Sequence, residues 1–135
     1  MASELNDTAK NIIDGNKNFA HLATLMPDGT PQVTPVWVDT ENGNVVINSA
    51  EGRLKVKNVK RDPRVGVDIT DSENPYSYVA VRGKVVDVTT EGADEHIDKL
   101  AKKYMGVDEY PLRTPDEVRV KIVIEPERVQ VQAGE

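Results

Sequence analysis

The strongest constraint on this chain is a pair of turn signals close together in its first third. At Pro27-Asp28-Gly29, proline presets φ and glycine accepts a positive φ. Asn42-Gly43 is the dipeptide of a tight primed turn, which joins antiparallel strands. The segments "FAHLATLM" (19–26), "PQVTPVWVD" (31–39) and "VVINS" (45–49) flank these turns at strand length. Residues 19–49 are therefore expected to form a three-strand meander.

The pattern continues downstream. "RVGVDIT" (64–70) alternates Val65, Val67 and Ile69, as a half-buried strand does. "YSYVAVRGKVVDVT" (76–89) is a long strand in which Gly83 signals a bulge or bend. "VRVKIVIEPERVQVQ" (118–132) is a last strand, expected to break near Pro126. Helices are expected over 4–14, with Ser3 as cap, over 53–61, stopped by Asp62-Pro63, and over 91–105, with Thr90 as cap. The last carries acids in its first turn, bases in its last, and a buried stripe of Ile97, Leu100, Ala101 and Tyr104. Six strands with hairpin connections and no βαβ alternation favour an antiparallel barrel or sandwich with helices at its ends. At 135 residues, one domain spanning 1–135 is expected.

Composition excludes several classes. There is no cysteine, hence no disulfide, thiolate metal site or cysteine nucleophile. No apolar run reaches bilayer length and no signal peptide is recognisable, so a cytoplasmic protein without membrane contact is expected. A net charge of −6 and few aromatics argue against nucleic-acid binding. No two of the nine glycines lie within three residues of each other, which excludes GxGxxG and the P-loop. His21 reads as a core or dimer-facing residue and His96 as lying on the polar side of its helix. Neither has ligand spacing, so no metal site is expected. No acid, base or nucleophile stands out as catalytic.

One anomaly survives this elimination. Arg53, Lys55, Lys57, Lys60, Arg61 and Arg64 fall within twelve residues of an otherwise acidic chain. A solvated helix face is the plain reading. The sharper reading is an anion site, because Arg53 and Lys55 follow a strand, a glycine and a helix start.

The ordered combination "FAHLATLMPDGTPQVTPVWV", "VVINSAEGRLKVKNVKRDPRVGV" and "YVAVRGKVVDV" resembles the pyridoxamine 5′-phosphate oxidase-like family, in particular its subgroup using the deazaflavin coenzyme F420. The resemblance spans about residues 15–131. It implies a mainly β fold, a six-stranded antiparallel split β-barrel of Greek-key type with a few short helices. It also implies a homodimer with cofactor at the interface. Arg53 and Lys55 match the family's phosphate-binding Arg-x-Lys element, with Lys57 and Asn58 in its supporting positions. Leu54 departs from it, where many relatives carry another basic residue. Asn48 and Ser49 would add polar contacts, and Thr34, Pro35, Val36 and Trp37 would lie along the ring system. Pro35 also reads as a simple edge blocker and Trp37 as core. Tyr76 and Tyr78 are candidates for closing the site across the dimer.

The activity implied is hydride transfer from reduced F420 to a small electron-poor acceptor such as an enone, quinone or tetrapyrrole. The cofactor would carry the chemistry, which accounts for the missing acid and base. Two alternatives stay open: an FMN-dependent oxidoreductase of the same fold, and a non-catalytic flavin- or F420-binding protein. The Arg-rich extension of pyridoxamine oxidase proper has no counterpart in "ERVQVQAGE", so vitamin B6 oxidation is not expected.

Overall fold

A computed structural model describes residues 3–133. The elements run α1 (Asp7–Asp14), β1 (Ala20–Leu25), β2 (Pro31–Val36), β3 (Val38–Glu41), β4 (Asn44–Ala50), α2 (Leu54–Arg61), β5 (Arg64–Thr70), β6 (Tyr78–Thr89), α3 (Ala93–Met105) and β7 (Arg119–Gln132). All strands join one antiparallel sheet in the order β2-β1-β5-β6-β7-β4-β3.

The expected second strand is two strands. β2 and β3 lie at opposite edges of the sheet, yet only Trp37 separates them. Seven strands laid flat would span roughly 29 Å from edge to edge, far beyond the reach of one connecting residue. The sheet must therefore curl until its edges meet at Trp37. This is a mainly β, curled half-barrel of the split-barrel type. It carries seven strands rather than six because the chain changes edges in mid-segment. The meander expected over 19–49 is accordingly two hairpins, β1-β2 and β3-β4. The turn chemistry behind it holds, with Asn42 and Gly43 at φ 53° and 80°. Pro35 does lie in an edge strand, opposite His21.

Inside the curl, Leu22, Val38, Ile47, Ile69, Val79, Ile122 and Ile124 are almost wholly buried. Ile12 and Ile13 of α1 join the same core. The N-cap of α1 is Asn6, not Ser3, because the Asn6 side chain accepts from Ala9 N at 2.8 Å. α3 begins two residues later than expected, after Gly92, while Thr89 Oγ1 accepts from Glu91 N.

β7 does not break at Pro126. β4 pairs with β7 only as far as Ile124, so on that side the missing proline N–H costs no ladder bond. The register shifts there instead: Arg82 faces Arg128 and Gly83 faces Pro126, leaving Glu127 as the extra residue. Gly83 is required by contact. A Cβ at this position would lie 2.3 Å from the Glu125 carbonyl oxygen. Gly83→Ala should therefore lose about 2–3 kcal/mol of stability, read as a lower urea midpoint at unchanged slope.

Candidate functional site

A cleft of about 560 Å³ opens where the barrel seam meets α3 and the β4–α2 turn. One wall is aromatic. Trp37 stacks on Tyr104 at 5.1 Å and 5°, and Tyr110 meets Trp37 edge-on at 6.0 Å. Phe19 tilts against Tyr104 at 5.4 Å. Tyr104 also fastens the seam. Its hydroxyl donates to Asn18 O at 2.6 Å and accepts from Val38 N at 3.2 Å. Burial pushes the Tyr104 hydroxyl pKa up to about 12.

The opposite wall is cationic. β4 ends at Ala50, Gly52 turns at φ 88°, and Arg53 becomes the N-cap of α2. Arg53 and Lys55 thus line the cleft, and Arg119 reaches it from β7. Glu117 is shared between two of them, 2.7 Å from Arg119 and 3.7 Å from Arg53. The Lys55 side chain has no hydrogen-bond or ion-pair partner among the described residues. Burial lowers its pKa, as do the neighbouring charges of Arg53 and Arg119. An external anion beside this ammonium would favour its charged form.

Seven of the residues expected at the site therefore meet in this cleft: Pro35, Val36, Trp37, Asn48, Ser49, Arg53 and Lys55. Trp37 is both a seam residue and a cleft wall. Three lie outside the lining. Lys57 is exposed on α2. Thr34 is half-buried on β2, and its Oγ1 has no partner among the described residues. Asn58 is fully buried, donating to Thr24 Oγ1 at 3.0 Å and accepting from Arg61 at 3.0 Å. It fastens α2 to β1. Tyr76 and Tyr78 also lie outside the lining.

The sequence reading missed Arg119, Tyr110 and the role of His96. The His96 assignment is corrected: the residue is 4% exposed, with Nε2 2.8 Å from Asp39 Oδ1. Its place four residues before Leu100 and eight before Tyr104 is the helical spacing that signals this face. His21 is half exposed beside Asp68 rather than in the core. Carboxylates do lie beside His96, since Asp39, Glu41 and His96 gather within 4.8 Å. Lys99 and Lys121 already supply their countercharge, at 3.0 Å from Asp39 and 2.7 Å from Glu41. Burial opposes ionisation of Asp39, but the hydrogen bond from His96 and the charge of Lys99 still hold its pKa below the usual value.

The chain matches the pyridoxamine 5′-phosphate oxidase family over residues 5–133. A solved F420 reductase is 31% identical, with a TM-score of 0.76, over 89% of this chain and 94% of that one. A conserved hypothetical protein from Mycobacterium tuberculosis is 20% identical, with a TM-score of 0.70, over 98% and 88%. HupZ from Group A Streptococcus is 22% identical, with a TM-score of 0.66, over 93% and 92%. The last two show the shared fold alone. No helix among the described residues is long and apolar enough to cross a membrane.

Two outcomes follow from the roles assigned to Asn58 and Tyr104. Asn58→Ala should cost about 1–3 kcal/mol in chemical denaturation, because it removes a fully buried amide and its bonds to Thr24 and Arg61, and should leave anion binding in the cleft intact. Tyr104→Phe should cost about 1–2 kcal/mol at neutral pH. The raised hydroxyl pKa stabilises the fold fully below pH 10, and that share is lost as pH rises towards 12. The gap between wild type and Tyr104→Phe should therefore narrow over that window in urea melts.

Proposed function

The chain belongs to the pyridoxamine 5′-phosphate oxidase family, and on that premise we propose that it is an oxidoreductase that uses coenzyme F420. The observation that carries this reading is the anion-seeking wall. Arg53, Lys55 and Arg119 present three cations to the cleft against the one carboxylate of Glu117. A phosphate fits that donor set, with a guanidinium fork and an ammonium point charge side by side. Arg53 and Lys55 would hold the phosphate, and the 31% identity to an F420 reductase favours the deazaflavin over FMN.

When bound, reduced F420 supplies a hydride to a small electron-poor acceptor. The rest of the work belongs to the protein. Ser49 adds a hydroxyl to the cationic wall. Trp37, held flat by its stack on Tyr104, offers a fixed surface along which a planar ring can lie. Ile97, Met105 and Leu112 add apolar surface to the same cleft. Among the described residues no histidine, aspartate or glutamate is in the lining, consistent with a redox reaction whose proton comes from solvent.

A homodimer is part of the proposal. β2 is an edge strand exposing Val33, and Phe19 and Leu112 are exposed at the cleft rim. A second copy covering that side would complete the site.

Titration of purified protein with F420 and, separately, FMN, followed by absorbance or fluorescence, tests the reading. F420 should bind, and Arg53→Ala with Lys55→Ala should weaken binding by about two orders of magnitude, the loss of two charge-assisted contacts. Binding of FMN alone would transfer the proposal to FMN, and binding of neither would end it. Turnover of reduced F420 with enone and quinone acceptors separates an enzyme from a carrier.

A further inference from the structure

Behind the cationic wall runs a chain of buried polar groups. Asp39 and His96 are 4% exposed and Arg119 is 8% exposed. His96 Nε2 lies 2.8 Å from Asp39 Oδ1, and His96 Nδ1 lies 3.0 Å from Asn48 Nδ2. Asn48 Nδ2 also donates to Ala93 O at 2.9 Å, and Asn48 Oδ1 accepts from Arg119 Nε at 2.8 Å. Four elements contribute: β3, α3, β4 and β7.

The polarity of this chain is fixed from both ends. A backbone carbonyl can only accept and a guanidinium can only donate. The Asn48 amide therefore has a single orientation, with its NH2 towards Ala93 and His96 and its oxygen towards Arg119. His96 Nδ1 must then accept, so the ring proton sits on Nε2 and is donated to Asp39. The surrounding charges agree. Lys99 stands against Asp39, and Lys121 against Glu41, which is 3.9 Å from His96 Nε2. These two pairs balance without a charge on the imidazole.

Ala93 O holds one amide proton of Asn48, and His96 holds the other. Together they stop the amide from turning, so its oxygen stays aimed at Arg119. Arg119 is further seated over the Tyr110 ring at 5.3 Å, with Nη1 on Glu117. The guanidinium still has N–H groups beyond these contacts, and the residue lines the cleft.

We infer that Arg119 is a third anion-binding residue of the cleft and that His96, backed by Asp39, is its positioning residue, acting through the Asn48 amide. This rests on reading the cleft as a phosphate site. It also reassigns Asn48, whose two N–H groups are spent on Ala93 and His96, from contacting a phosphate to aiming a residue that does.

The test has two arms. The first uses the unmodified protein without cofactor, in long-range proton–nitrogen NMR at neutral pH. His96 should show a protonated Nε2 and a bare Nδ1, and the Arg119 Nε–H should be slow to exchange. A proton on Nδ1, or a freely exchanging Arg119 Nε–H, would overturn the relay whatever the cofactor. The second arm titrates F420, FMN and inorganic phosphate. Arg119→Gln should weaken the binding of whichever phosphate compound the wild type binds by about tenfold, the loss of one charge-assisted bond. His96→Leu should weaken it by about fivefold, with the Arg119 Nε–H now exchanging freely. His96→Gln, which can still offer a donor to Asp39 and an acceptor to Asn48, should stay within about twofold. Equal loss in both His96 variants, or none in Arg119→Gln, would overturn the inference. Failure of the wild type to bind any of the three would instead remove the cofactor reading and the anion-binding role of Arg119 with it, while the NMR arm decides the relay by itself.

Discussion

A single residue joins the two edges of the sheet, and most of the architecture follows from that. β2 closes one side and β3 the other, with Trp37 alone between them. The backbone cannot stretch across a flat sheet of this width, so curvature is obligatory. The junction must then be held shut, and α3 does this. Tyr104 ties Asn18 to Val38, and Lys103 donates to Ile13 O at 2.7 Å and Val38 O at 2.8 Å. Asp14 of α1 adds two bonds to Thr40 on the far side of the junction. Several polar groups thus converge on the junction, where the chain leaves one edge of the sheet for the other.

The same junction creates the cleft. Trp37, stacked on Tyr104, lines the groove between seam and helix. The cationic wall arises separately, where β4 ends and the left-handed Gly52 turns the chain into α2. One wall is flat and apolar, the other charged and partly desolvated. Their juxtaposition is a property of the curled sheet and of no single segment.

This explains which features could be read in the sequence. β5, β6 and the β3-β4 turn were legible because they depend on local period and turn chemistry. So was the strand–glycine–Arg-x-Lys element, whose residues are neighbours in the chain. The division at Trp37 was not, because nothing local to "TPVWVD" states that its two halves pair with strands at opposite edges. Where Asn58 would act was not legible for a related reason. Its position in a basic run suggests the cleft, but α2 turns that face inward, onto Thr24 of β1. Arg119 lies far from the basic run in sequence and meets it only through pairing of β7 with β4. His96 was legible in principle, since it shares the face of Leu100 and Tyr104. Its polarity concealed it.

The basic run itself separates once partners are assigned. Lys60 is bound to Glu51 at 2.9 Å and Arg64 to Asp62 at 2.7 Å, while Arg61 caps Leu25 O and holds Asn58. Those three charges already have partners within the chain. Lys57 is exposed to solvent, where screening weakens any field it adds. What is left is Arg53 and Lys55, joined by Arg119 from across the sheet. The acidic net charge of the chain is no obstacle to an anion there, because screened surface carboxylates act weakly over distance while the cations lining the cleft act at contact. Glu117 offsets only part of that local charge, and Lys55 has no carboxylate of its own. The site is thus set to favour a ligand that brings negative charge and a flat apolar body together, since either feature alone would satisfy one wall and leave the other exposed.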